Sequence, residues 1–250
     1  MKNKYNFAAL FALALAAALV LNAPVCAQAP PGSLWYNGDW NQIHGGLANE
    51  RNYHFATQAA VYDDFNVTAP LGWNVTAVFS DNLASPPATG ADWEIRTGIS
   101  EGNAGTLVAS GTTNSPIVTV IGGHDPPEYM VEVTGLNVFL PMLPSGQHYW
   151  LNVTPVGNGT GGSDNATTSG TNCVGTPCGN DQNAFFNSTT FGAYFTSTAN
   201  EGLPSDFSNG VIGTVVPEPS PWATMALGAI VLIGVRQLRL RWSRRNHYEK

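Results

Sequence analysis

Gly98-Ile99-Ser100-Glu101-Gly102 matches the G-x-S-x-G pattern that presents a serine nucleophile when it joins a strand to a helix. Asp125 and His148 follow in the Ser, Asp, His order of a hydrolase, so the corresponding chemistry would be acyl transfer with His148 as base. The local sequence argues against it. Asn103-Ala104-Gly105 reads as a turn where a helix is required, and both partners arrive too early in the chain for an α/β-hydrolase sheet. A β-hairpin turn accounts for the pattern, so no catalytic residue is assigned and no enzymatic activity is expected. His44, His54, His124 and His148 are scattered, and none falls in a paired zinc spacing, so no metal site is predicted from them.

Two other groups of residues could bind something. Asp63 and Asp64 are adjacent, so on a strand they point to opposite faces and at most one can turn inward. An inward carboxylate needs a partner, and calcium, held through oxygen ligands, is a candidate in a segment so poor in cations. Solvated acids at a strand end are the competing reading, and Asp81-Asn82 and Asn180-Asp181 are open to the same two interpretations. No other cofactor is expected. Trp35, Tyr36 and Trp40, interleaved with Asn37 and Asp39, could form an aromatic platform for sugar rings, or could equally cover the open end of a β-fold. Cys173 and Cys178 are expected to pair in an exported protein, closing a small loop worth about 2 kcal/mol.

The elements that must position these residues are strands. Short runs rich in β-branched and aromatic residues recur between Gly, Asn, Thr and Ser turns, and no stretch keeps a helical period. Expected strands cover Ala59 to Phe65, Trp73 to Phe79, Trp93 to Ile99, Thr106 to Ser110, Pro116 to Ile121, Tyr129 to Thr134, His148 to Val153, Ala184 to Phe186, Phe191 to Thr196 and Val211 to Val215. Within the second, Trp73, Val75, Ala77 and Phe79 alternate with Asn74, Thr76 and Val78, the pattern of a half-buried strand. The fold class predicted for residues 28–215 is all-β, a single jelly-roll-like β-sandwich. Residues 157–183, dominated by Gly, Ser, Thr and Asn, are expected to form a long exposed loop within it.

Charge narrows the partners. Between residues 28 and 235 the only basic side chains other than histidine are Arg51 and Arg96, against sixteen acidic ones, a net charge of −14. Such a surface repels nucleic acid and anionic lipid and suits a solvated extracellular module.

The two ends carry an address. Lys2 and Lys4, the apolar run from Phe7 to Leu21, and small residues around Val25-Cys26-Ala27 or Ala27-Gln28-Ala29 form a signal helix for signal peptidase, assigned to residues 1–27. Cys26 is poorly set for a lipid anchor, because Val25 stands where a small residue is needed. At the other end, Pro217, Glu218 and Pro219 form a stiff extended element, since proline fixes φ and removes a donor. An apolar stretch at 222–235 follows as the core of a transmembrane helix. Arg236, Arg239, Arg241, Arg244 and Arg245 form the basic stop that holds the C-terminus inside. Leu238, Leu240 and Trp242 lengthen the span if Arg236 and Arg239 snorkel.

This order of Pro-Glu-Pro, apolar segment and arginine cluster, over 216–245, resembles the PEP-CTERM sorting signal. The Asp63-Asp64-Phe65 and Trp93 to Ser100 segments also resemble parts of other PEP-CTERM ectodomains. The resemblance implies processing by an exosortase-like enzyme in a Gram-negative bacterium that makes extracellular polysaccharide. It further implies transient attachment to the inner membrane through the C-terminal helix, then display at the cell surface or in the matrix. The expected function is structural or adhesive; the alternative is a carbohydrate-binding module acting on extracellular polysaccharide.

Overall fold

The computed structural model describes residues 29–218 and Met225. The signal segment at 1–27, Pro219, the apolar stretch at 222–235 and the five arginines from Arg236 to Arg245 lie outside the described residues, as do the helices assigned to both ends. Among the described residues no helix is long and apolar enough to cross a membrane.

The chain is all-β. Its strands are β1 (Ser33–Tyr36), β2 (Leu47–Ala48), β3 (Glu50–Arg51), β4 (Gln58–Phe65), β5 (Trp73–Ser85), β6 (Gly90–Thr97) and β7 (Thr106–Thr113). They continue with β8 (Ile117–Gly122), β9 (Glu128–Leu140), β10 (Tyr149–Val156), β11 (Gly162–Asn165), β12 (Phe185–Ser188), β13 (Ala193–Ser197) and β14 (Asn209–Val215). Two seven-stranded sheets result. In the first, β9 runs along one edge of β5 and carries β8, while β14 and β11 share the other edge, with β1 and β2 outside them. The second runs β13, β12, β4, β10, β6, β7, and β3 wedges between β4 and β10 where those two strands diverge.

Residues from both sheets share one apolar cluster. Trp35, Trp73, Val75, Val78, Val131, Val133 and Val211 come from the first sheet, and Phe65, Trp93, Ile95, Tyr149, Leu151 and Val153 from the second. Stacked rings run through it, with Trp35 5.3 Å from Phe65 and Phe65 5.4 Å from Tyr149. Burial of these large side chains, at about 1.5–3 kcal/mol each, is the main force joining the sheets.

Two sequence expectations change here. A break in register between Val75 and Ala77 inverts the alternation of β5, so Val78 enters the shared core and Phe79 points to the other face. There Phe79 packs on Tyr36 at 5.5 Å, and its ring lies so close to β14 that a Cβ at Gly210 would stand 2.1 Å from Cζ. An inserted residue of this kind shifts every later side chain to the opposite face, which period counting does not see.

The segment 157–183 is not wholly an exposed loop. It contains β11, and Ser163, Asn165, Thr167 and Thr168 are buried. Short polar side chains replace missing ladder partners: Asn165 donates to the Asp81 carbonyl at 2.9 Å, and Thr168 Oγ1 to the Asn37 carbonyl at 2.6 Å. Cys173 and Cys178 are joined by a disulfide with Cα atoms 5.6 Å apart, beside the bridge between Val174 and Tyr36.

Candidate functional site

Asp63 and Asp64 lie on β4, and both are fully buried. The expectation that at most one could turn inward fails because β4 is covered on both faces. Val61 packs with Phe186 and Phe207 on one side, and Tyr62 with Trp150, Phe185 and Phe195 on the other. Asp63 Oδ2 accepts from Asn37 Nδ2 at 2.9 Å and from the Phe207 amide at 2.8 Å. Burial raises its pKa well above the carboxylate range, and the nearby Asp206 and Asp64 raise it further. Asp206 in turn accepts from the amides of Asp181 at 2.5 Å, Gln182 at 2.9 Å and Asn183 at 3.1 Å. Burial and Asp181 hold Asp206 up at about 7. These carboxylates are occupied by backbone and amide donors and tie the 180–183 turn to β4. Among the described residues no group of three or more His, Cys, Asp and Glu is arranged to hold a metal ion.

A second buried acid lies on β5. Asp81 Oδ2 accepts from Ser208 Oγ at 2.6 Å and is 3.0 Å from the Tyr36 hydroxyl, which is also 2.9 Å from Asp39 Oδ1. One phenolic proton therefore faces two carboxylates, Asp81 and Asp39. Burial pushes Asp81 up to about 8, with Glu128 adding to the rise, and Glu128 itself stands at about 7.

This arrangement decides the aromatic cluster. Trp35 and Tyr36 are buried, Trp35 in the shared core with Nε1 donating to the Pro177 carbonyl at 3.1 Å. Trp40 is half-buried, edge-on to His124 at 4.6 Å, with its own N–H directed to the His44 carbonyl. The three do not form a shared platform; they cap and fill the fold.

The G-x-S-x-G segment is the turn of the β6–β7 hairpin. Ser100 and Asn103 exchange backbone hydrogen bonds at 3.1 and 2.8 Å, and β7 follows where a helix would be needed. Asp125 lies exposed between β8 and β9, away from any pairing with His148. His148 instead places Nδ1 2.5 Å from Asp64 Oδ2. Asp64 stands at about 6, raised by burial and Asp181 and lowered by His148. Ser100, His148, Trp150, Gln147 and Asn103 line a cleft of about 690 Å³, but Ser100 Oγ makes no hydrogen bond to His148. The Asp64–His148 pair was not readable from the sequence, because the two residues meet only through the register of β4 on β10.

Sequence reasoning also missed a cleft of about 520 Å³ lined by Glu50, Phe55, Leu83, Asp164 and Phe191, among others. Phe55 and Phe191 are exposed there. Phe191 was expected to open a strand but sits in the turn before β13. The available signal was single phenylalanines inside polar turn segments, where burial is not assured.

At the end of the fold, the Val216 amide donates to the Gly72 carbonyl at 3.0 Å, and Pro217 and Glu218 beyond it are exposed.

These features define a strongly acidic all-β protein built on two sheets. No protein-family model matches the chain, and no curated protein matches it. Among solved structures it is similar to the clostridial cysteine protease Cwp84 after propeptide cleavage. The identity is 14% and the TM-score 0.36, over 63% of this chain and 36% of that one. It is likewise similar to the cysteine protease and lectin-like domains of Cwp84, a surface layer associated protein of Clostridium difficile. There the identity is 15% and the TM-score 0.36, over 63% of this chain and 32% of that one. The match spans about a third of those chains. Both are structures of a cysteine protease, and the expectation that this chain has no enzymatic activity is not retained. At this score and identity the likeness assigns no activity to this chain.

Proposed function

We propose that this chain is an exported bacterial surface protein. In this reading a jelly-roll-like β-sandwich is delivered by its signal segment and sorted by an exosortase-type enzyme acting on Pro217, Glu218 and Pro219. Its role is structural or adhesive, at the cell surface or in the extracellular matrix. One observation carries the reading: among the described residues Val216 makes the last hydrogen bond to the fold, and Pro217 and Glu218 beyond it are exposed. A processing enzyme needs such an extended peptide free of the sheet, and proline keeps it from joining the ladder. The acidic surface suits a module working in solvent outside the cell.

Intact-mass measurement on the mature protein from its native host tests this. The expected product has lost both the N-terminal signal and the segment after Pro219. Retention of residues 220–250 would overturn sorting by cleavage and leave a plain membrane-anchored module.

Carbohydrate binding is a second reading, carried by a different observation. Trp35 and Tyr36 are withdrawn into the fold, whereas the Phe55–Phe191 cleft offers exposed rings beside polar groups, the composition of a sugar subsite.

A further inference from the structure

The cleft of about 520 Å³ has two deficits that one ligand chemistry would meet. Its walls include two phenyl rings left open to solvent, Phe55 at 68% and Phe191 at 55% exposed. One edge of Phe55 packs against the chain at Gly162, where a Cβ would stand 2.6 Å from its Cδ2. Beneath the floor, Glu50 is 1% exposed, and its Oε2 accepts from the Ser163 amide at 2.8 Å. Oε1 makes no hydrogen bond in the fold, while the Ala56 amide lies close enough to favour the carboxylate alongside Ser163. Asp164 stands exposed at the rim, and no basic side chain lines the cleft. Arg51, next to Glu50 in the chain, is taken by Asp92. A half-satisfied buried carboxylate and bare aromatic rings are each unfavourable alone. A ligand joining a positive charge to an apolar face covers the rings and brings an opposite charge over Glu50, whose Oε1 it opposes through the field and not by direct contact.

We propose that this cleft binds an amine-bearing saccharide, its ammonium seated on Asp164 above Glu50 and a C–H face of its ring against Phe55 and Phe191. The inference rests on the carbohydrate reading and narrows it to cationic sugars. Two separate rings around a cleft of this size suit a bulky pyranose better than the single thread of a lysine side chain. The negative field of the whole segment draws such a ligand in and disfavours anionic glycans.

Saturation-transfer NMR on the full chain, purified in detergent, tests it with glucosamine, glucose and Nα-acetyl-lysine at equal concentrations. Glucosamine is expected to bind at least tenfold more tightly than glucose. That preference should fall about tenfold in Asp164→Asn, and Phe191→Ala should weaken both sugars. Both substitutions are at exposed positions and leave the core intact, and Glu50→Gln, which removes a buried charge, should also lower the preference. Equal binding of glucose and glucosamine overturns the inference but keeps the carbohydrate reading. Silence from both sugars overturns the two together, and tighter binding of Nα-acetyl-lysine replaces the saccharide with a basic peptide.

Discussion

Asp81 is held by Ser208 and Tyr36 in a place where its charge is poorly tolerated. Its pKa of about 8 in the fold lies above the ordinary carboxylate value, so the protonated form is the one the fold prefers. The stabilisation from that preference is complete below about pH 4 and is lost as pH rises through 8. Glu128 and Asp206 at about 7 and Asp64 at about 6 act in the same direction. Thermal stability should therefore be greatest at about pH 4 and decline toward pH 8, with no group contributing more than about 1.4 kcal/mol per pH unit. Asp81→Asn should flatten the decline, matching the parent at pH 4 and exceeding it at pH 8. Calorimetric melting of both proteins across that range checks this, and a melting temperature that rises with pH in the parent would refute it.

At the scale of elements, two contacts set how strands and connections lock together. Gly210 allows the Phe79 ring to lie on β14, and Gly210→Ala puts a methyl group into that ring. Overpacking of this kind should cost about 1–3 kcal/mol, read as a lower urea midpoint with an unchanged slope. The Cys173–Cys178 loop sits beside the bridge to Tyr36. Replacing both cysteines by serine should lower stability by about 2 kcal/mol or less, because the closed loop is short. Equal urea midpoints with and without reductant would show that the cross-link adds nothing.

The whole molecule adds direction and field. Pro217 and Glu218 are exposed beyond Val216, one residue past the end of β14, where the proposed sorting motif lies. Glu218→Ala should leave export intact while uncleaved precursor accumulates in the membrane fraction, seen as a larger band on immunoblots. Normal release of that variant would count against recognition of the motif. The −14 charge should keep residues 28–235 from retaining DNA at physiological salt, which a gel-shift assay reads directly.

Much of this was legible in the chain before any fold was known. The strand at Asp63-Asp64-Phe65, the hairpin turn at Ser100 and the acidity between residues 28 and 235 depend on local composition and spacing, which sequence records directly. The strands hidden in polar text, β1, β2, β3 and β11, were not legible. Their hydrogen-bond partners are distant in the chain, and their side chains are short or mixed. Only tertiary structure decided that Trp35 and Tyr36 turn away from solvent while Phe55 and Phe191 face it. It also decided that Asp63 and Asp64 are both buried, and that His148 meets Asp64 and not Asp125. The reason is the same in each case. Exposure and pairing depend on which face a neighbouring strand covers, and one irregular register, as between Val75 and Ala77, reverses the face of every residue after it.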